Sequence, residues 1–233
     1  MRAHQLFITW LLPTITLAST SLSAQGAPPS VDGRLLPPGT DTFTVSYGGA
    51  VIGRGIMARS VSGSRMLQVY RWKSAQGDST LDSLYSDLRS LRSQREVRVV
   101  TDTVIEVTYT SDSILVATRS RAAPARRQSQ LAATSVFSSA ILDGLAAAAP
   151  LADGYEQEVR FYYAPPSTLG IVVIRISVAG SERVVDRLGR SRDAWRVLAA
   201  TPSGGTTFWI DKANRSILKF DTQEGPATIE FRR

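Results

Sequence analysis

The feature of this sequence that most restricts its fold is a succession of short runs in which apolar and polar residues alternate. Residues 42–47, 65–72 and 103–110 are typical, and glycine, serine or aspartate residues stand between the runs. Alternation with a period of two is typical of strands with one buried face, and turn residues roughly every 10–12 positions favour antiparallel neighbours. We count about a dozen such strands, and a sheet of that width must curl because strand twist accumulates.

A single segment carries a clear helical pattern. Its apolar residues recur every three or four positions, and Pro150 ends the pattern. We predict a helix at about 135–149.

Residues 79–91 can be either a helix or a strand followed by a loop, since leucines recur there at helical spacing in a stretch rich in serine and aspartate. The predicted fold class is mainly β: a single large curled antiparallel sheet, or an incomplete barrel, of about a dozen strands wrapped around one helix.

Residues 1–24 have the pattern of a secretory signal peptide. Arg2 precedes an apolar run, and small residues follow up to Ala24. We predict cleavage near Ala24 and export, so that the mature protein lies in the periplasm or outside the cell. Residues 25–41 are rich in proline and glycine and are predicted to form a flexible leader, followed by a single β-rich domain at residues 42–233. The mature chain has no predicted transmembrane segment.

Two residue types that carry much enzyme chemistry are missing from the mature chain. The sequence has no cysteine, and its one histidine, His4, belongs to the predicted signal peptide. Thiol and imidazole catalysis and metal sites built from these residues are therefore excluded, and we predict no metal and no cofactor. Glu156 and Glu158 share one face of a predicted strand as a candidate acid–base pair. A carboxylate-based hydrolase is nevertheless the least favoured function, and the protein is predicted not to be an enzyme.

The chain is basic, with a formal net charge of +7 that falls to +6 when Arg2 leaves with the signal peptide. A basic stretch at residues 119–130 is predicted to be a loop, which either contacts an anionic envelope surface or is simply solvated. Nucleic acid is not expected as a partner, because no aromatic residues alternate with the arginines. The candidate contact residues are Arg119, Arg121, Arg126 and Arg127.

The large apolar side chains of the predicted sheet and helix are candidate ligand contacts. One helix cannot cover the concave face of so wide a sheet, so the remaining surface is either an apolar groove or a packed core. Phe208 and Trp209 are neighbours, and a regular strand turns only one of them inward. Gly53 and Gly55 indicate a bulge or a close approach to the backbone of their strand. The candidate residues are Trp72, Phe137, Ile141, Leu145, Phe161, Tyr163, Trp195, Phe208 and Phe220.

Two stretches resemble a widespread family of uncharacterised exported bacterial proteins, a domain of unknown function. They are FSSAILDGLAAAAPLADGYEQEVRFYY at residues 137–163 and AWRVLAATPSGGTTFWIDKANRSILKFDTQEG at residues 194–225. The same hairpin pattern occurs in periplasmic lipoprotein-localisation carriers, in which a half-barrel wraps around helices. The resemblance covers about residues 42–233 and implies a half-barrel. It implies no catalytic residues, and several helices line the cavity of the carriers where this chain has one.

Two main hypotheses for function follow from these observations. The first is an exported, non-enzymatic protein of the cell envelope that binds a lipid-like or other hydrophobic ligand in the concave face of the sheet. The second is a structural or interaction module of the envelope with a fully packed core. The two differ in whether the concave face is open or filled.

Overall fold

The structure, a computed structural model, describes residues 29–132, 135–164, 170–186, 188–201, 204–224 and 227–233. The predicted signal peptide at residues 1–24 and the first part of the predicted leader, residues 25–28, lie outside the described residues. Within them the chain forms fifteen strands. In chain order these are β1 (Gly39–Tyr47), β2 (Ala50–Ser62), β3 (Arg65–Ser74), β4 (Ser79–Asp87), β5 (Ser93–Val100), β6 (Thr103–Tyr109), β7 (Ser113–Ser120), β8 (Ala123–Leu131), β9 (Val136–Ser138), β10 (Glu156–Tyr163), β11 (Gly170–Val185), β12 (Ser191–Thr201), β13 (Gly204–Asp211), β14 (Ile217–Glu224) and β15 (Ala227–Arg232).

All the described strands belong to one sheet whose order follows the chain. The order is β8-β7-β6-β5-β4-β3-β2-β1-β15-β14-β13-β12-β11-β10-β9, so the two halves of the chain meet at the centre, where Val45 of β1 lies opposite Phe231 of β15. Neighbouring strands are antiparallel except β9 and β10, which are parallel. The predicted fold class, a mainly β protein with one large unclosed sheet, is confirmed.

The sheet curls until its two ends overlap. At the overlap β9 lies against β5, and the backbone N–H of Ser138 donates to Ser93 Oγ at 2.8 Å. We call this line of contact the seam. Strands β6 and β7 continue past the seam and cover the outer face of β10, where Tyr162 packs with Val107 and other apolar residues. Phe161, its neighbour in sequence, points inward to the main core. The result is an incomplete barrel with a main core inside and a smaller core in the overlap.

The helix is shorter than the one predicted at 135–149. Val136–Ser138 form strand β9 instead, Ser139–Ile141 form a 3-10 helical turn, and the α-helix, α1, spans Leu142–Ala148. A β-branched residue followed by an aromatic one favours a strand, and here the partner β10 is available. Long-range pairing therefore overrides the local helical pattern at its first residues.

The short helix is enclosed by the sheet, as predicted. Leu145 is 1% exposed, and the 3-10 turn begins at Ser138, whose Oγ accepts a hydrogen bond from the backbone N–H of Ala140 at 3.0 Å. Leu145 and Ile141 pack with Phe137 and Phe161 in the main core. This is the only α-helix among the residues that the structure describes.

The described part of the predicted leader packs against the helix. Gly33–Leu35 form a 3-10 helical turn, and the backbone N–H of Asp32 donates to the carbonyl of Ala148 at 3.2 Å. Leu36 joins the main core, and a Cβ on Gly33 would lie 2.2 Å from the carbonyl oxygen of Leu88. Residues 32–36 thus pack against the helix and cover the core beside it. Strand β1 begins three residues later, at residue 39.

Three further segments either differ from what the sequence suggests or resolve an alternative that the sequence left open. The basic stretch at 119–130, predicted as a loop, lies at the end of β7 and in β8, and every residue of β8 is exposed, so no burial pattern marks it as a strand. Residues 79–91 form β4 and a turn rather than a helix. Gly180 (φ +125°), a residue type that often marks a turn, makes a bulge within the long strand β11.

The position of the helix predicts the effect of a charge on its buried face. We expect Leu145→Asp to lower the free energy of unfolding by about 4 kcal/mol or more, because it removes apolar burial and leaves a carboxylate in an apolar core. Leu188→Asp is the matched control, since Leu188 is 67% exposed. Urea unfolding of both variants measures the difference, and equal stabilities would show that the helix does not pack inside the sheet.

Candidate functional site

Two groups of polar side chains stand out in the mainly apolar interior, and the first joins the helix to β2 and β3. Arg59 donates from Nη2 to Asp143 Oδ2 at 2.5 Å and from Nε to Gln68 Oε1 at 2.8 Å. Gln68 Nε2 donates to Asp143 Oδ1 at 2.9 Å and to the carbonyl of Ala140 at 2.8 Å. The buried cation is therefore paired and hydrogen-bonded, and the network sets the position of the helix against β2 and β3.

The second group, which we call the seam cluster, consists of Asp82, Glu96, Arg98, Tyr109 and Ser138. Glu96 is 0% exposed, and its Oε2 accepts hydrogen bonds from Ser138 Oγ at 2.7 Å and from Tyr109 Oη at 3.0 Å. Its Oε1 has no hydrogen-bond partner among the described residues and lies 3.5 Å from Arg98 Nη2. Arg98 also donates to both carboxylate oxygens of Asp82, at 2.8 and 3.2 Å. Side chains from β4, β5, β6 and β9 thus meet at the seam.

Burial governs the protonation of the seam cluster. It raises the pKa of Glu96, and the hydrogen bond from Ser138 and the charge of Arg98 offset only part of that effect. Burial also raises the pKa of Tyr109, and the nearby Glu96 carboxylate raises it further. Tyr109 therefore stays protonated and able to donate. Glu96, the central carboxyl group, is enclosed and joins strands across the seam, whereas Asp82 lies at the margin of the cluster.

A cavity of about 190 Å³ lies in the interior beside both polar groups. Aromatic rings form much of its wall. The centroids of Phe43 and Phe220 lie 5.5 Å apart in an edge-to-face arrangement, and those of Phe208 and Phe220 lie 5.7 Å apart. Phe220 also stacks on Phe231 at 4.0 Å. These contacts make one wall of the cavity a rigid apolar surface.

The rest of the cavity lining is polar in part. Asp82 comes from the seam cluster and Asp143 from the helix. Thr206 and Thr222 continue the aromatic wall along β13 and β14, two residues from Phe208 and Phe220, with 3.2 Å between their Oγ1 atoms. Burial raises the pKa of the Tyr70 phenol, and the two aspartates raise it further. The cavity therefore offers both apolar contact and hydrogen-bonding groups.

Two glycines of β2 keep space for rings inside the curl. A Cβ on Gly53 would lie 2.5 Å from Trp72 Cη2, and a Cβ on Gly55 would lie 2.9 Å from Tyr70 Oη. The close approach predicted for these glycines is confirmed. Any larger residue at either position would push a ring into the space beside the cavity.

The nine candidate ligand contacts divide into core residues and cavity residues. Phe208 and Phe220 line the cavity, and Trp72 is half-buried beside Gly53. Tyr163 and Trp195 are half-buried and pack against the core. The remaining four are almost fully buried inside the sheet and do not line this cavity: Phe137, Ile141, Leu145 and Phe161.

The predicted opposition of Phe208 and Trp209 is confirmed. Phe208 points to the interior, whereas Trp209 lies on the outer face in a small apolar cluster with Val184. Trp209 Nε1 donates to Glu182, and Lys219 Nζ lies 3.9 Å from the ring centroid. An outward tryptophan is thus buried by the long hairpin of β11 and β12.

The four basic candidates lie together at the β7–β8 hairpin. Arg119 belongs to β7, Arg121 to the turn, and Arg126 and Arg127 to β8. Arg126 and Arg127 are successive residues of a strand and point to opposite faces. The arginines therefore surround an edge of the sheet and do not form one flat patch.

The carboxylate pair proposed for a hydrolase lies at the surface. The side chains of Glu156 and Glu158 are 58% and 63% exposed, and both lie 3.6 Å from the Arg175 guanidinium on the outer face of the sheet. Solvent and an arginine on this face do not provide the dry cleft that raises the pKa of a catalytic acid.

A larger cleft of about 600 Å³ lies between the tip of the β11–β12 hairpin and the buried residues Met57 and Arg59 of β2. Arginines line it, but most already have acidic partners. Arg233 pairs with Asp41 at 2.5 Å, and Arg190 pairs with Asp186 at 2.9 Å. Because these charges are neutralised locally, the cleft has no strong field for an anion.

Sequence analysis missed Arg59, Gln68, Glu96 and Asp143, the polar residues that organise the interior. A signal for two of them exists: Arg59 and Gln68 occupy inward positions of β2 and β3, where alternation calls for apolar residues. An inward polar residue needs a buried partner. The partner Asp143 lies 84 residues from Arg59, and no short-range pattern connects them.

None of the helices in the described part of the chain has the length and apolar content of a membrane-spanning segment. The same residues contain no group of three or more His, Cys, Asp or Glu side chains placed to hold a metal ion.

Comparisons with known proteins agree with this architecture. The model of the family described as "Protein of unknown function (DUF3108)" matches residues 42–232. A solved structure, the β-barrel-like protein of domain of unknown function DUF1849 from Brucella abortus, superposes with a TM-score of 0.59 at 12% identity, over 84% of this chain and 95% of that one. At that identity the similarity shows the fold alone. No curated protein matches.

The raised pKa of Glu96 predicts a pH dependence of stability. Below the ordinary glutamate pKa of about 4.3, Glu96 is protonated in both states. Above it the unfolded chain ionises first, so the free energy of unfolding falls as the pH rises, until the pH passes the raised pKa of the folded protein. Glu96→Gln has no carboxyl group at this position, so its free energy of unfolding does not fall in this way. We expect the free energy of unfolding of Glu96→Gln minus that of the wild type to rise with pH between the two pKa values of Glu96, and to stay constant at higher pH.

Urea unfolding at a series of pH values measures this difference. Glu106→Gln is the control, because Glu106 lies on the neighbouring strand β6, partly exposed and paired with Arg95 at 2.8 Å. A constant difference between Glu96→Gln and the wild type across the series would contradict the burial of an ionisable carboxyl at the seam.

Proposed function

This chain belongs to the DUF3108 family of proteins of unknown function, and we propose that it is an exported, non-enzymatic protein that takes the end of a lipid-like or other hydrophobic ligand into its interior cavity. The cavity beside Phe208 and Phe220 is the observation that carries this proposal. Both residues are candidate ligand contacts from the sequence.

The size and wall of the cavity set what it can hold. An apolar cavity of about 150 Å³ accepts a benzene-sized molecule. The present cavity, of about 190 Å³, therefore suits one ring or the end of a single acyl chain. Larger ligands would place only part of their structure inside, since small-molecule pockets usually measure about 300–1,000 Å³.

The charges in the wall determine the orientation of such a ligand. Asp82 and Asp143 contribute carboxylates to the polar side, and no cation among the described residues lines the cavity. Both carboxylates are already paired with arginines, Asp82 with Arg98 and Asp143 with Arg59, so the wall offers no free cation to an anionic headgroup. The ligand therefore enters with its apolar end first and keeps an anionic or polar head outside.

Export is part of this proposal and rests on the signal pattern of residues 1–24. The absence of cysteine and histidine from the mature chain supports a role in binding rather than in catalysis. The surface position of Glu156 and Glu158 supports the same conclusion.

A second candidate is a structural or interaction module of the envelope with a packed interior. The observation that favours it is the burial of Phe137, Ile141, Leu145 and Phe161, which fill most of the space around the helix. In this alternative the cavity is a packing defect and the surface carries the function.

A substitution that fills the cavity separates the two candidates. Thr222 lies in the wall, so Thr222→Phe should occupy the space with little loss of core packing. We expect this variant to bind cis-parinaric acid, a fluorescent fatty acid, at least about tenfold more weakly than the wild type. Fluorescence titration and displacement by unlabelled alkanoic acids measure the affinity.

Thr42→Phe is the matched control, because Thr42 is exposed on β1. It should bind the probe as the wild type does, and thermal unfolding should show all three proteins folded. Equal affinity of Thr222→Phe and the wild type would place the probe outside the cavity and contradict the proposal. An absence of binding to the wild type would leave the packed module as the function.

A further inference from the structure

The two edge strands of the sheet differ in length and in how far the rest of the protein covers them. The edge strand β9 has three residues and is covered at the seam, where Ser138 bonds to Ser93 and Glu96. The other edge strand, β8, has nine residues, all exposed, and no strand pairs with its free side within the described ranges. A long bare edge is unusual, because it offers a row of unpaired backbone groups to any extended chain.

The register identifies the free backbone groups. The backbone N–H of Ala132 donates to the carbonyl of Asp112 at 2.8 Å, so these two residues form a hydrogen-bonded pair. Such pairs recur at every second residue of an antiparallel ladder. Residues 126, 128 and 130 therefore bond to β7, and Arg127, Ser129 and Leu131 direct their N–H and C=O groups away from the sheet.

The charge around this edge points to one kind of partner. Arg119, Arg121, Arg126 and Arg127 surround it, residues 113–131 include no Asp or Glu, and none of the four makes an ion pair with another described residue. Arg126 and Arg127 lie on opposite faces of β8, so a chain paired with the edge meets a cation on either face.

Self-association is disfavoured by the same charges. Two copies of β8 paired edge to edge would bring arginines of both chains together, and like charges opposite each other destabilise a strand pair. A partner strand with acidic residues would instead gain both the free hydrogen bonds and the charge pairs.

We propose that β8 is a strand-addition site for an extended acidic segment of a partner protein. The partner adds a sixteenth strand to the sheet, its backbone pairs with Arg127, Ser129 and Leu131, and its carboxylates contact the arginines on both faces. This site is separate from the interior cavity and goes beyond the ligand-binding function proposed above.

Proline substitution at the free edge gives a direct test. Ser129→Pro removes an outward N–H and no hydrogen bond to β7, and proline is tolerated on edge strands. Ser129→Ala keeps the N–H and is the matched control. The probes are labelled peptides of nine residues, the length of β8, that combine threonine and valine with glutamate on both faces, and a matching panel with lysine in place of glutamate.

Fluorescence anisotropy with these peptides has defined outcomes. We expect the wild type and Ser129→Ala to bind the acidic panel, and Ser129→Pro and Arg126→Glu/Arg127→Glu to bind at least about tenfold more weakly. The charge-reversed variant should gain affinity for the lysine panel. If charge reversal weakens binding and Ser129→Pro does not, the contact is electrostatic only and strand addition is wrong.

Two measurements keep the test independent of the folding of the variants. Amide exchange by NMR on the wild type should show new protection at Arg127, Ser129 and Leu131 when an acidic peptide is added, with no change at residues 126, 128 and 130, which already bond to β7. Sedimentation velocity should show a monomer at all concentrations. A dimer lost in Ser129→Pro would make the occupant a second copy and overturn the proposal, as would a complete lack of binding by the acidic panel.

Discussion

The overlap of the two ends of the sheet at the seam is the constraint on which the rest of the structure depends. A sheet that grows from its centre in both directions ends with two open edges. One of them, β9, is covered at the seam, where the backbone N–H of Ser138 donates to Ser93 Oγ and its Oγ donates to Glu96. Because β6 and β7 then cover the outer face of β10, both faces of the overlap are buried. The inward face of the sheet becomes an enclosed interior only after this contact forms.

The contents of that interior follow from the length of the helix. Seven helical residues span only about 10 Å, so the helix fills part of the space. The segment around Leu36 closes the end beside the helix. Arg59 and Gln68 hold the helix against β2 and β3 through Asp143, and a buried ion pair of this kind sets position more reliably than it adds stability. The cavity is the volume that these elements leave beside the aromatic wall.

Interior and edge are two separate surfaces with different chemistry. The cavity combines aromatic rings with carboxylates and favours an apolar group, whereas the β8 edge combines free backbone groups with unpaired arginines. The interior cavity and the β8 edge can each bind a partner without the other being occupied. Some outer arginines elsewhere, such as Arg233 and Arg190, have acidic partners, whereas none of the four at the β8 edge makes an ion pair with another described residue.

Patterns of a few residues determined the strands, most of the turns and the close approach at Gly53 and Gly55, because alternation, turn chemistry and side-chain size act within one strand or hairpin. The same local patterns were wrong where a distant partner decides. Val136 and Phe137 have helical spacing but pair with β10, and β8 has no burial pattern because only its backbone is held by β7. Phe208 and Phe220 could be named as ligand contacts from their size and position, but the cavity around them could not.

What the sequence alone determined is a wide, curled, mainly β domain with one enclosed helix. What only the tertiary structure decided is where the sheet ends meet, which polar residues lie inside and which edge stays bare. The curl of the sheet brings together Arg59 and Asp143, which are 84 residues apart in the chain, and Glu96 and Ser138, which are 42 residues apart. A buried charge is tolerated only when such a partner is present, so no local pattern could predict these positions.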